Sequence, residues 1–127
     1  MIGIGIDAVE VERFRSVLER RPTFVNRVFT SLEVESLSGR SDPVPGLAAR
    51  FAAKEATMKA LGVGIFQIAF RDIEITRQSS GAPLLRMSGR ARMLADALSV
   101  DKIHLSMTHT QLIASAVVVV DGPSQER

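Results

Sequence analysis

At 127 residues the chain fits one domain of ordinary size, without room for separate binding and catalytic modules. Its 46% hydrophobic and 24% charged residues are those of a globular protein, and the lack of cysteine excludes disulfides, zinc-thiolate sites, iron–sulfur clusters and thiol nucleophiles. The formal charge is only +2, and Trp and Tyr are both absent, which argues against a nucleic-acid surface built on base stacking.

The opening MIGIGID has no basic region ahead of its apolar residues, and the longest nearly apolar run, Leu112 to Val120, falls far short of the ~20 residues a spanning helix needs. The expectation is a cytoplasmic chain with no membrane partner. Ile2, Ile4 and Ile6 alternate with Gly3, Gly5 and Asp7, predicting a short strand that ends at Asp7 and whose glycine face is approached closely by other backbone. From Val9 to Arg21 the apolar spacing shifts to three and four residues, an amphipathic helix stopped before Pro22, with a further turn or two over Thr23 to Val28.

Thr30 and Glu33 form a capping-box signature for a helix predicted to end at Gly39, followed by a surface loop over 38–46. Leu47 to Leu61 reads as a helix closed by Gly62. Asp72 to Gln78 and Pro83 to Met87 read as a hairpin, and Ser88 as the cap of a helix running to about Leu98. Lys102 to Thr108 and Leu112 to Val120 read as paired strands, the second buried on both sides. One domain therefore covers 1–121, with a polar tail over 122–127.

The helix over 47–61 is apolar nearly all round, with Leu47, Phe51, Met58 and Leu61 on one side and six alanines on the other. Charges on such a helix need partners to offset desolvation. Glu55 and Lys59 share a stripe four residues apart, which in the simplest reading is an i, i+4 pair contributing roughly 0.2 to 0.5 kcal/mol. Yet the chain has 13 Arg and only three Lys, and two of those lysines, Lys54 and Lys59, bracket Glu55. Lysine offers a compact charge suited to phosphate contacts and proton transfer. Asp7, ending an apolar strand, is either a turn or cap carboxylate or the partner of Glu55. If the two converge, they make a hard-cation site, and Mg²⁺ typically takes one or two carboxylates with water and phosphate oxygens. His109 follows the alternation at a strand turn, a position at which a lone histidine is more often structural than catalytic.

Taken together, GIGIDAVEVERF (3–14), VFTSLE (28–33), RFAAKEATMKALGVGI (50–65), DIEI (72–75) and IHLSMTHTQLIASAVVV (103–119) resemble the holo-acyl-carrier-protein synthase family. These are the small 4'-phosphopantetheinyl transferases of bacterial fatty-acid synthesis. The resemblance runs from residue 1 to about 121 and implies an α+β fold with a long apolar central helix on a small antiparallel sheet. It implies transfer of 4'-phosphopantetheine from coenzyme A to a serine of apo-acyl carrier protein, with release of adenosine 3',5'-bisphosphate. It also implies a homotrimer with active sites at subunit interfaces.

By the same resemblance, Asp7 and Glu55 bind Mg²⁺ and Lys59 attends the transferred phosphate. Arg50, Lys54, Gly62, Thr108 and His109 line the coenzyme A pocket, and Arg13, Arg20 and Arg27 dock the acidic carrier. Three positions depart from the family pattern: Val63 stands where a threonine is common, Ile113 where a tyrosine is frequent, and Met58 where a polar residue is usual. They leave the metal pair intact and put the finer phosphate contacts in question. The alternatives are the same chemistry on a polyketide or peptide-synthetase carrier, and a non-catalytic coenzyme A-binding assembly protein, which the loss of the threonine at Val63 favours slightly.

Overall fold

The computed structural model describes residues 1–64 and 67–123. Ile65 and most of the polar tail lie outside the described residues. Strand β1 (Gly3–Glu10) leads directly into helix α1 (Val11–Arg20), then two short helices, α2 (Phe24–Val28) and α3 (Ser31–Glu35). Helix α4 (Val44–Leu61) is followed by a 3-10 turn at Phe70–Asp72 and the hairpin β2 (Ile73–Arg77) and β3 (Pro83–Met87). Helix α5 (Gly89–Ala97) precedes β4 (Lys102–His109) and β5 (Ile113–Asp121). The long strands form an antiparallel sheet in the order β1-β5-β4, and the hairpin is a separate two-stranded sheet. The architecture is α+β, as the sequence resemblance implies.

Helix α4 lies across one face of the larger sheet and is buried almost all round, as its lack of a polar face requires. It begins at Val44 rather than Leu47, because Pro45 suits a first turn, where its missing N–H costs nothing, and Asp42 Oδ1 accepts the Val44 N–H at 3.1 Å. It ends as predicted at Gly62, whose φ of +75° is the left-handed conformation glycine adopts cheaply. Ala52, Ala56 and Ala60 are almost wholly buried and let the helix backbone settle onto the strands. Beside its first half, Phe14, Phe24, Phe51 and Phe70 pack edge-on and stacked, with centroids 5.3–5.9 Å apart.

Several expectations need correction. Strand β1 continues past Asp7 to Glu10, since Ala8, Val9 and Glu10 find partners at Ser115, Ala114 and Ile113 on the long β5. The capping box at Thr30 and Glu33 is present, but α3 stops at Glu35. Ser36 and Ser38 hydroxyls donate to the Glu33 and Glu35 carbonyls, turning the chain out of the helix. Ser88 holds the cap position of α5 but makes no side-chain cap bond; Asp72 Oδ2 instead accepts the Arg90 N–H at 3.2 Å. Strand β5, though central, is buried on one face only, through Ala114, Ala116, Val118 and Val120, and its other face is half-exposed.

Candidate active site

Strand β1 and helix α4 run side by side so closely that a Cβ at Gly3 would strike the Ala60 carbonyl and one at Gly5 the Ala56 carbonyl. Two strand residues advance about as far as four helix residues, so the next strand position on that face falls one turn further down the helix. That position is Asp7. It brings its carboxylate within hydrogen-bonding reach of Glu55. Helical side chains lean toward the N-terminus, and Lys59 therefore reaches back one turn. Its Nζ donates to the Ile6 carbonyl at 3.1 Å and to Asp7 Oδ1 at 3.3 Å.

Burial pushes the Glu55 carboxyl up to about 7, the facing Asp7 carboxylate pushes it the same way, and Lys59 only partly opposes them. Two carboxylates held together at a half-buried place, with one ammonium beside Asp7, form a site short of positive charge. Among the described residues no group of three or more Asp, Glu, His or Cys side chains gathers to cage a metal. Asp7 and Glu55 thus offer two oxygen donors and leave further positions to water or a substrate oxygen, a set that fits a hard divalent cation such as Mg²⁺.

Other expected site residues lie elsewhere. Lys54, one position before Glu55, is wholly buried on another flank of α4. Its Nζ donates to Glu33 Oε1 at 2.7 Å, the Ile73 carbonyl at 2.6 Å and the Phe70 carbonyl at 3.0 Å, which uses all three protons. Glu33 in turn accepts the Thr30 and Ile75 N–H groups, each at 2.9 Å. Burial lowers the Lys54 pKa and the Glu33 carboxylate partly restores it. Lys54 therefore has no proton to give a ligand in this arrangement. Glu33 is the residue that sequence reasoning missed as a core group. Its capping-box position explained one of its bonds, and nothing in the local pattern signalled the lysine.

Arg50 is also almost fully buried, donating to the Ile75 and Gly46 carbonyls at 3.2 Å. Its pKa is lowered by burial and by the nearby charges of Arg77 and Arg40, against some support from Glu33. Gly62 is exposed just beyond the helix end, one turn above Lys59. Thr108 and His109 sit at the end of β4, which β5 separates from β1. Two strand spacings, about 10 Å, divide them from the level of Asp7 within one chain. Arg13 and Arg20 are exposed on α1, Arg13 beside Glu10 at 3.8 Å and Arg20 donating to the Ser16 carbonyl. Arg27, also exposed, borders a cavity of about 570 Å³ beside α2.

The sequence profile of the 4'-phosphopantetheinyl transferase superfamily matches residues 3–117. The chain belongs to that superfamily. A holo-acyl-carrier-protein synthase of Moorella thermoacetica is 44% identical over 126 residues, covering 99% of this chain and 98% of its own. Among solved structures of transferases of this superfamily, the Helicobacter pylori holo-acyl-carrier-protein synthase in complex with coenzyme A superposes with a TM-score of 0.82 at 32% identity, covering 93% of this chain and 99% of its own. The Bacillus anthracis synthase, in complex with CoA (3',5'-ADP), does so with a TM-score of 0.79 at 34% identity, covering 96% and 97%.

Proposed function

We propose that this chain moves the 4'-phosphopantetheine group of coenzyme A onto a serine hydroxyl of apo-acyl carrier protein, in the cytoplasm and for fatty-acid biosynthesis, releasing adenosine 3',5'-bisphosphate. The observation that carries this reading is the convergence of Asp7, Glu55 and Lys59 in a member of this transferase superfamily. Near-full-length relatives named as synthases of this kind, and a structural neighbour in complex with coenzyme A, support it.

Asp7 and Glu55 would hold Mg²⁺, which when bound supplies positive charge against the coenzyme pyrophosphate. In the overall reaction the serine oxygen forms a bond to phosphorus, the P–O bond to adenosine 3',5'-bisphosphate breaks, and the serine proton is released. Lys59 has spent two of its three protons on Ile6 and Asp7, and its side chain is 56% exposed, so one N–H remains to meet the phosphate that gathers charge. The bond to Asp7 also fixes the ammonium before substrate arrives. Arg50 contributes as charge rather than by direct contact: in the recess of about 350 Å³ over Thr76, Arg50 and Arg77 outnumber Glu35, and the net positive charge favours a further phosphate of the coenzyme.

A homotrimer with interfacial sites accounts for two further features. The sheet face turned away from α4 carries Ile4 and Ile6, 58% and 67% exposed, beside half-exposed Val117 and Val119. Covering it with further copies of the chain buries an apolar surface that water otherwise meets. Thr108 and His109, too far from Asp7 within one chain, would then serve the carboxylate pair of a neighbouring copy.

The test is mass spectrometry on a panel of apo-carriers incubated with coenzyme A, with and without Mg²⁺. Addition of the phosphopantetheine mass to the fatty-acid carrier, and its loss in a folded Glu55→Gln variant, is the expected result. Preference for a polyketide or peptide-synthetase carrier would move the acceptor, and no addition to any carrier would overturn the enzyme assignment.

A further inference from the structure

Lys59 lies in the last turn of α4, so the way that turn is closed decides how firmly the ammonium is held. A helix leaves its final carbonyls without partners inside the helix. Here two of them are taken: the Gly62 N–H donates to the Lys59 carbonyl at 3.1 Å and the Val63 N–H to the Met58 carbonyl at 3.0 Å. With Gly62 in the left-handed conformation, this is the paired closure of a Schellman motif, which an apolar contact across the turn commonly completes. Val63 supplies that contact. Its side chain is half-buried against the apolar cluster that holds Met58, Ala60 and Leu61.

The turn is built to hold its shape and not to hold a phosphate. Its third N–H, at Gly64, donates to Gln67 Oε1 at 2.7 Å, so all three backbone donors of residues 62–64 are engaged, and Val63 carries no hydroxyl. Val63 and Met58 are two of the three positions at which the sequence departs from the family pattern, and a backbone bond joins them. Valine is stiff about χ1 and, unlike threonine, brings no side-chain oxygen to compete for the helix-end carbonyls. On either side of exposed Lys59, Met58 and Ala60 are buried, and Ala60 stands so close to β1 that a Cβ on Gly3 would strike its carbonyl. The root of Lys59 is therefore fixed by β1 on one side and by Val63 at the helix end.

We propose that Val63 is a positioning residue for the transfer reaction, which together with Met58 holds Lys59 where its remaining N–H meets the phosphate. The tip of Lys59 is tied to the Ile6 carbonyl and to Asp7, both on β1, while its backbone belongs to a helix end that would otherwise fray. Fraying would shift the root against the tip, and a misplacement of about 1 Å can cost ~10²-fold in rate. The apolar closure keeps the two in register before substrate arrives. This inference rests on the proposed function.

With only three lysines in the chain, isotopic labelling of lysine at Cε gives one signal each for Lys59, the buried Lys54 and the exposed Lys102. The experiment measures nuclear relaxation of these signals in the intact chain, and transfer kinetics with apo-carrier, coenzyme A and Mg²⁺, for wild type, Val63→Ala, Val63→Ile and Val100→Ala. Val100 packs against the same apolar cluster from the turn between α5 and β4, so its truncation removes the same atoms away from the helix end. In wild type Lys59 should be more ordered than Lys102. Val63→Ala should bring Lys59 toward Lys102 and leave Lys54 as it was, with kcat lowered roughly 3- to 30-fold and both KM values within about twofold of wild type. Val63→Ile, which keeps the apolar closure, and Val100→Ala should retain the kcat and the Lys59 order of wild type. Equal kcat and Lys59 order in Val63→Ala and Val100→Ala overturn the inference alone. A loss of kcat without loosening of Lys59 also overturns it, as does a raised KM for coenzyme A at unchanged kcat, since Val63 would then act on donor binding. Absence of transfer by wild type would defeat the function itself and this inference with it.

Discussion

Replacing Lys54 by Met separates a core role from a coenzyme-binding one. The side chain keeps its length and apolar stem but loses the ammonium that bonds Glu33, Ile73 and Phe70. Glu33 would keep the Thr30 and Ile75 N–H bonds while remaining fully buried without its counter-charge. Removing one member of a buried pair costs about 3–5 kcal/mol, a large part of the ~5–15 kcal/mol available to a domain of this size. The cost should fall when Glu33→Gln is added, because the stranded charge is then gone and the amide can still accept one of the two backbone bonds. Urea unfolding of the single and double variants reads both numbers from midpoints at constant slope. A single-variant loss under about 1 kcal/mol would refute the assignment of Lys54 to the core. So would a Lys54→Met protein of wild-type stability whose KM for coenzyme A has risen, which is the outcome expected if the ammonium touches the donor.

The site itself makes opposite demands on stability and function. Glu55→Gln should abolish Mg²⁺-dependent transfer yet stabilise the protein in the presence of a chelator. With the folded pKa of Glu55 raised from 4.5 to about 7, its stabilising contribution is present below pH 4.5 and lost as pH rises through 7. In chelator the variant should therefore match wild type near pH 4.5 and exceed it by ~1–2 kcal/mol at pH 8.5, after allowing for solvent screening of a half-buried group. Equal stability at both pH values would show that the carboxylates do not oppose each other. Gly5→Ala should destabilise by at least ~2 kcal/mol in urea unfolding, because its Cβ meets the Ala56 carbonyl and neither backbone can yield cheaply. Ile6→Lys should leave the monomer fold intact and shift the mass measured by light scattering toward a single chain; an unchanged mass would rule out the open sheet face as the self-association surface.

Local spacing carried much of the fold. The alternation at Ile2 to Asp7, the box at Thr30 and Glu33, and Gly62 each marked a strand or a helix end, because those signals depend on residues within one turn or one pleat of each other. The errors arose where a distant partner decided the outcome. β1 outran its apolar alternation because β5 offered three more paired positions, and α5 took its cap bond from Asp72 rather than from Ser88. At the site, the unusual place of Glu55 and Lys59 on an apolar helix was visible, and Asp7 was a candidate from the strand end. Their meeting was implied only by the family resemblance and not by local spacing, since it depends on how deeply α4 settles onto Gly3 and Gly5.

Lys54 and Lys59 show why residue type alone could not assign both. They are five residues apart, so at 100° per residue they point about 140° apart around the same helix. One direction faces β1, where the small face of Gly3 and Gly5 lets the helix approach and leaves Lys59 an open edge beside Asp7. The other faces the junction of α3 with β2, where Glu33 and two carbonyls close around Lys54 with no route to solvent. The same helix can therefore be anchored on one flank and carry an exposed ammonium on another only if the two lysines are out of phase. A shift of either lysine by one position would swing its ammonium by about 100°, taking it off its partners and leaving either the buried Glu33 or Asp7 without its ammonium.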